Sequence, residues 1–218
     1  MKNEFLKRVI SSIILIPVVL LSIIEGNFFF NILLILLLII SIYEWHKIAF
    51  NELFFLGIIF LIFSFFCIFK VRNYSFDDNI NQFIFFLITL LCVSTDIGGY
   101  LIGRIFKGPK LTKISPNKTI SGSLGSFIFP IITLYIYLRF SDFFFNYSII
   151  MNFKFITIIL FISGVSQIGD LFISYFKRKS KVKDTGNIIP GHGGLLDRID
   201  GVIFAFPAYY ILIKLQLL

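Results

Sequence analysis

The chain has 218 residues, of which 57% are hydrophobic, 18% aromatic and only 15% charged, with a mean hydropathy of +0.92. A soluble domain is usually about 45–50% apolar and about 25% charged, so a soluble globule is excluded, and a disordered chain with it. The net charge of +8 can mark an acidic partner or the Lys/Arg excess of cytoplasmic loops; the hydropathy rules out a soluble nucleic-acid binder.

A membrane-spanning helix needs about 20 mostly apolar residues. Seven runs meet or approach this: 9–24, 28–43, 53–69, 82–103, 121–139, 153–176 and 202–218. The expected fold is therefore an all-α polytopic transmembrane bundle of about seven spans. Residues 1–218 form one integral membrane domain, with N-terminal spans in 1–81 and a catalytic portion in 82–218. The first two runs are short and separated only by Glu25-Gly26-Asn27. They make either a tight helical hairpin or one membrane-surface element plus a span. Lys2, Lys7 and Arg8 ahead of the first run resemble a secretion signal, but Ile23-Ile24-Glu25 offers no small-residue cleavage site. The segment reads as an uncleaved anchor.

With the N-terminus inside, 15 of the 20 Lys and Arg residues fall on one side. That bias predicts a cytoplasmic N-terminus and an outward C-terminus. It puts the two most basic loops, 104–120 and 177–201, on the same face. Cys67 and Cys92 both lie in apolar runs, which suggests neither a disulfide framework nor a Cys-rich metal site. Thirteen of the 15 glycines lie between Gly98 and Gly201, where they permit close helix approach or let backbone reach a ligand. Chemistry is to be sought there.

Ionisable groups inside a span are costly and mark function by default. In the fourth run Asp96 shares a helix face with Gly99 and Gly103. In the sixth, Ser163, Gln167, Asp170, Ser174 and Lys177 form a polar stripe at steps of three or four. A helix–helix hydrogen-bond seam is the plainer account of the stripe, although a carboxylate is a poor choice for glue. Ahead of the fifth run stands Ser115-Pro116-Asn117-Lys118-Thr119. Ser115 suits a cap and Pro116 a first helical position. The helix end with Lys118 beside it forms either an anion site or an ordinary helix start with a snorkelling lysine.

The densest segment runs from Ser174 to Gly201. It contains Ser174-Tyr175-Phe176-Lys177-Arg178, Lys183-Asp184-Thr185-Gly186, Pro190-Gly191-His192-Gly193-Gly194 and Asp197-Arg198-Ile199-Asp200. Topology explains the lysines but not a Gly-His-Gly-Gly run followed by two carboxylates three residues apart. With Asp170, Asp197 and Asp200 can offer oxygen ligands to Mg²⁺, which favours one or two carboxylates plus substrate phosphates. Lys and Arg around them suit phosphate groups. Together these point to phosphoryl or nucleotidyl transfer onto a lipid.

This segment resembles the signature of the phosphatidate cytidylyltransferase (CDP-diacylglycerol synthase) family. Thirteen fixed positions over 27 residues are met: Ser174, Lys177, Arg178, Lys183, Asp184, Gly186, Pro190, His192, Gly193, Gly194, Asp197, Arg198 and Asp200. Shorter matches are Thr95-Asp96-Ile97-Gly98 with Tyr100, Ser115-Pro116 with Lys118-Thr119, and Gly169-Asp170-Leu171-Phe172. The pattern often carries Glu where this chain has Ser121 and Ile173, so two acidic positions are absent and metal duty falls on the remaining aspartates. The N-terminal half is short for the family.

The resemblance implies a Mg²⁺-dependent transfer, with one or two metal ions, from CTP to phosphatidic acid in the inner membrane, on the cytoplasmic side. It implies Asp170 and Asp197 as metal ligands, with Asp96 and Asp200 as further ligands or supports. Asp170, Asp197, Lys177 and Lys183 are the expected catalytic set. Ser115, Lys118, Thr119, Arg178, His192, Gly193, Gly194 and Arg198 are the expected phosphate-binding set. His192 can also be read as a base. Three readings compete, two of them enzymes and one a transporter. CDP-alcohol phosphotransferases share an Asp-x-x-Asp-Gly start, but no acidic residue follows Asp200 here. A transporter predicts polar residues along several spans, whereas these cluster toward one face. A CTP-dependent lipid kinase stays open, as does pairing into a homodimer.

Overall fold

A computed structural model describes residues 2–50, 53–75, 77–112, 114–145 and 152–216. Among the described residues eight helices follow one another: α1 (Lys2–Glu25), α2 (Asn27–Ile48), α3 (Leu53–Arg72), α4 (Asp78–Phe106), α5 (Ile120–Phe145), α6 (Phe153–Lys179), α7 (Leu196–Ile199) and α8 (Val202–Lys214). Runs this apolar bury no backbone amide in lipid unpaired only by closing i→i−4 hydrogen bonds, so the elements are helical. Six helices, α1 to α6, are long and apolar enough to cross a membrane, and α8 is a shorter apolar one.

The first two runs form a hairpin of two helices, each long and apolar enough to cross a membrane. The turn rests on Gly26, at φ 64°. A Cβ there would stand 2.8 Å from Arg72 Nη2. Arg72, buried at the end of α3, donates from Nε to Ile23 O (2.8 Å) and from Nη2 to Asp78 Oδ2 (3.3 Å). One guanidinium thus caps α1 and joins α3 to the start of α4.

The seventh span differs from expectation. Residues 217 and 218 lie outside the described residues, and α8 alone is 13 residues, about 20 Å, short of a hydrocarbon core of about 30 Å. However, Leu195, Asp200 and Gly201 also have right-handed helical torsions. The helical path therefore starts near Leu195 and carries Asp197 and Asp200 within it. Pro207 in α8 has no N–H for Ile203 O, four residues back. Ser64 of α3 supplies the missing donor, Oγ to Ile203 O at 2.7 Å.

Small residues weld α4 to α5. A Cβ on Gly98 would meet Gly125 O at 2.5 Å, and one on Gly122 would meet Gly99 O at 2.6 Å, so the backbones touch directly. Two apolar cores fill the rest. One gathers Phe83, Leu91, Leu134, Ile162 and Phe206 between α4, α5, α6 and α8. The other packs Trp45, Phe65, Ile173, Phe176 and Ile203 between α2, α3, α6 and α8. Ile173, one of the positions where an acid was missing, belongs to that second core at 2% exposure.

The basic loops meet at one end of the bundle. Arg8 of α1 donates to Gly191 O (2.7 Å), and Ser180, just past α6, donates to Ile48 O at the end of α2 (2.6 Å). The parity inferred from charge is the parity of the fold.

Candidate active site

Helices α4, α5 and α6 and the loop before α5 enclose a cavity of about 550 Å³. Asp96 and Arg104 line it from α4, Gln167 and Asp170 from α6, and Ser115, Lys118 and Thr119 from the loop. Leu111 N–H donates to Lys118 O (2.8 Å), and Ile120 N–H donates to Pro109 O (3.0 Å). These bonds fold the loop back, so that Lys118 reaches across to pair with Asp170.

The cap of α5 is not Ser115. The helix begins at Ile120, and Thr119 Oγ1 accepts from Gly122 N–H at 3.1 Å. Ser115 instead makes the turn before it, its carbonyl accepting from Lys118 N–H at 3.1 Å. That turn occupies the positions where a helix capped by Ser115 would begin, and α5 starts four residues on. Ser121, the other position lacking an acid, donates to Lys107 O.

The second half of the signature lies at the basic end of α6. Lys177 Nζ is 2.6 Å from Asp197 Oδ1. Asp197 Oδ2 accepts from Thr185 N–H (2.8 Å) and Gly194 N–H (3.1 Å). Asp170 has the same design: Lys118 takes Oδ2, and Ser174 Oγ donates to Oδ1 at 3.2 Å. In each carboxylate, neutral donors orient one oxygen while a lysine ammonium occupies the other. The two ion pairs lie about two turns, about 10 Å, apart along α6.

The Pro-x-His-Gly-Gly run is a turn. His192 N–H donates to Ile189 O at 2.9 Å, with Pro190 and Gly191 (φ 78°) in the middle, the residue order of a type II turn. Gly193 and Gly194 do not line the cavity. A Cβ on Gly194 would stand 2.0 Å from Thr185 Oγ1 and 2.6 Å from Glu44 Oε2. His192 faces α1, with Nδ1 3.0 Å from Ser11 Oγ and Nε2 3.4 Å from Ser12 Oγ. Arg198 is turned onto His192 O (Nε 3.1 Å), and Arg178 onto Val182 O (3.2 Å). Lys183 is exposed on the loop. Asp200 is buried, accepting from Gly201 N–H at 2.8 Å.

Glu44 was missed. It sits on α2, wholly buried, and its oxygens accept from Thr185 Oγ (2.7 Å), Leu195 N–H (2.9 Å) and Leu196 N–H (2.8 Å). The available signal was an acidic residue closing an apolar run just before Trp45. Arg104 was assigned to topology alone, yet it lines the cavity.

The site suits a hard cation. Its donors are carboxylate oxygens, already oriented by neutral groups, and two of the carboxylates now carry an ammonium. Among the described residues no three His, Cys, Asp or Glu side chains group to hold a metal ion. A hard cation would draw on one or two of these carboxylates.

Residues 49–216 match the model of the cytidylyltransferase family. The chain belongs to that family. It is 33% identical over 215 residues to a phosphatidate cytidylyltransferase of Rickettsia typhi, covering 96% of this chain and 92% of the relative. Its identity to the phosphatidate cytidylyltransferase of Staphylococcus haemolyticus is 47% over 120 residues, 55% of this chain and 44% of that one. For the enzyme of that name from Bacillus subtilis, identity is 38% over 141 residues, 63% and 51% of the two chains. The matched part thus spans about half the length of the staphylococcal and Bacillus relatives and nearly all of the rickettsial one. As a cytidylyltransferase-family protein, the chain places its family signature at the basic end of a membrane bundle, around the Lys177–Asp197 pair.

Proposed function

We propose that this protein transfers the cytidylyl group of CTP to phosphatidic acid, forming CDP-diacylglycerol and pyrophosphate. The observation that carries the reading is the pair of lysine–carboxylate ion pairs, one lining a cavity sunk among three membrane helices. A phosphate monoester has its second pKa near about 6 and is largely dianionic at neutral pH. Its oxygen attacks the α-phosphorus of CTP, the α–β P–O bond breaks, and pyrophosphate leaves with the electron pair. No proton has to be removed, so the site needs charge neutralisation and alignment, not a base.

Lys118 and Arg104 receive the lipid phosphate at the cavity. Lys177 and the loop cations Lys183 and Arg198 meet the triphosphate from the basic face. When phosphates arrive, the lysines turn from the carboxylates to the phosphate oxygens. Asp170 and Asp197 would then hold Mg²⁺, with Asp96 and Asp200 as further ligands or supports. Bound Mg²⁺ would supply neutralisation of charge on the transferring and leaving phosphates. His192 holds the signature turn against α1 and takes no proton. The Lys/Arg excess supports a cytoplasmic position for this face, where CTP is found, and the bacterial relatives support an inner-membrane protein. Pyrophosphate and CDP-diacylglycerol appearing together from CTP, phosphatidate and Mg²⁺ test the reading.

A further inference from the structure

One polar group of the cavity has no task in this chemistry. Gln167 lies on the polar stripe of α6, one turn from Asp170 and farther from the basic end. Its Oε1 accepts from Ser123 Oγ at 2.9 Å, while Nε2 is buried without a hydrogen-bond partner. A buried donor left unmade is costly and calls for a partner. Gln167 lines the same cavity as Lys118 and Asp170, about 4–5 Å deeper along the helix. A lipid whose phosphate sits on Lys118 carries its glycerol ester carbonyls a few bonds away, toward the membrane interior.

We propose that Gln167 Nε2 donates a hydrogen bond to an acyl-ester carbonyl of the lipid substrate, making this residue a determinant of ester-linked over ether-linked lipid. The inference rests on the lipid reading above. Ether lipids keep the phosphate, the glycerol and the chains but lack the carbonyl acceptor. A site that hydrogen-bonds a substrate group rejects the analogue that lacks it.

The test compares initial rates of pyrophosphate release from CTP with diacyl phosphatidate and its dialkyl ether analogue, in mixed micelles. Wild-type protein is expected to show kcat/KM about 5–10-fold lower on the ether lipid, the factor of one net hydrogen bond. Gln167→Met, of similar shape without the donor, is expected to level the two lipids and leave KM for CTP unchanged. Equal wild-type rates on both lipids, or discrimination that survives in Gln167→Met, overturns the proposal. The wild-type comparison holds even where a variant does not fold. Product from neither lipid in the wild type overturns the functional reading and this inference together; product from both at equal rates overturns only the inference.

Discussion

Glu44 of α2 accepts the hydroxyl of Thr185 at 2.7 Å from a position with no exposure to solvent. The same carboxylate receives Leu195 N–H and Leu196 N–H, the free amides at the start of the last helical path. Thr185 in turn gives its backbone N–H to Asp197. An N-terminal helix thereby holds the signature aspartate in place, at one remove. Gly186 and Gly194 are glycines because Glu44 leaves no room for a Cβ at either.

Removing this anchor should be severe. Glu44→Ala strands three buried donors, each costing about 1–3 kcal/mol. Thermal unfolding in detergent is expected to drop by about 10 °C or more, and activity should fall with it. An unchanged melting temperature would show that Glu44 has no such role.

Ser64 and Pro207 give a cleaner cycle. Ser64→Ala leaves Ile203 O without a donor and should cost about 1–3 kcal/mol. Pro207→Ala restores the helix N–H that Ile203 O lacked. The double variant is expected to recover most of the loss, a coupling of about 1 kcal/mol or more. Strictly additive melting temperatures would contradict this account of Ser64.

These cases mark what sequence reasoning could see. Hydrophobic run length and the Lys/Arg bias located the spans and their parity, because in lipid both follow from local composition. The signature located the Asp170–Lys177 face of α6 and Asp197. Run length started the last span at 202, where α8 starts, but did not show the short helical stretch through Leu196–Ile199 ahead of it, because Asp197 and Asp200 interrupt the apolar pattern. Ser115 was read as a cap because capping residues are recognised by type, and Thr119 is equally suitable. Glu44 and Gln167 depend on partners 141 and 44 residues away in the chain, and no local pattern encodes such pairings. Spacing also could not show that Asp170 and Asp197 sit on separate lysines.

The two lysines should separate by substrate. Lys118→Met is expected to raise KM for phosphatidate more than for CTP, and Lys177→Met the reverse. Each should lower kcat/KM by about 10²-fold, the scale of a lost donor to transferring charge. Steady-state kinetics with each substrate varied in turn checks the split. The same KM pattern in both variants would contradict the assignment of lipid phosphate to Lys118.

His192 should prove a structural residue. Its ring nitrogens face Ser11 and Ser12, so His192→Gln is expected to keep activity within about tenfold, since one positioned proton-transfer group contributes about 10²–10⁴-fold. The pH–rate profile should keep its shape. Loss of one limb of that profile would restore His192 as a base.

One measurement reads the nature of the transfer. Purified protein is incubated with CTP labelled at the α-phosphorus, phosphatidate and Mg²⁺, and both lipid and aqueous products are resolved. The account predicts label in CDP-diacylglycerol with an equal amount of pyrophosphate released. Label remaining in water as CDP, with a phosphate added to the lipid, would mark a CTP-dependent kinase and contradict it.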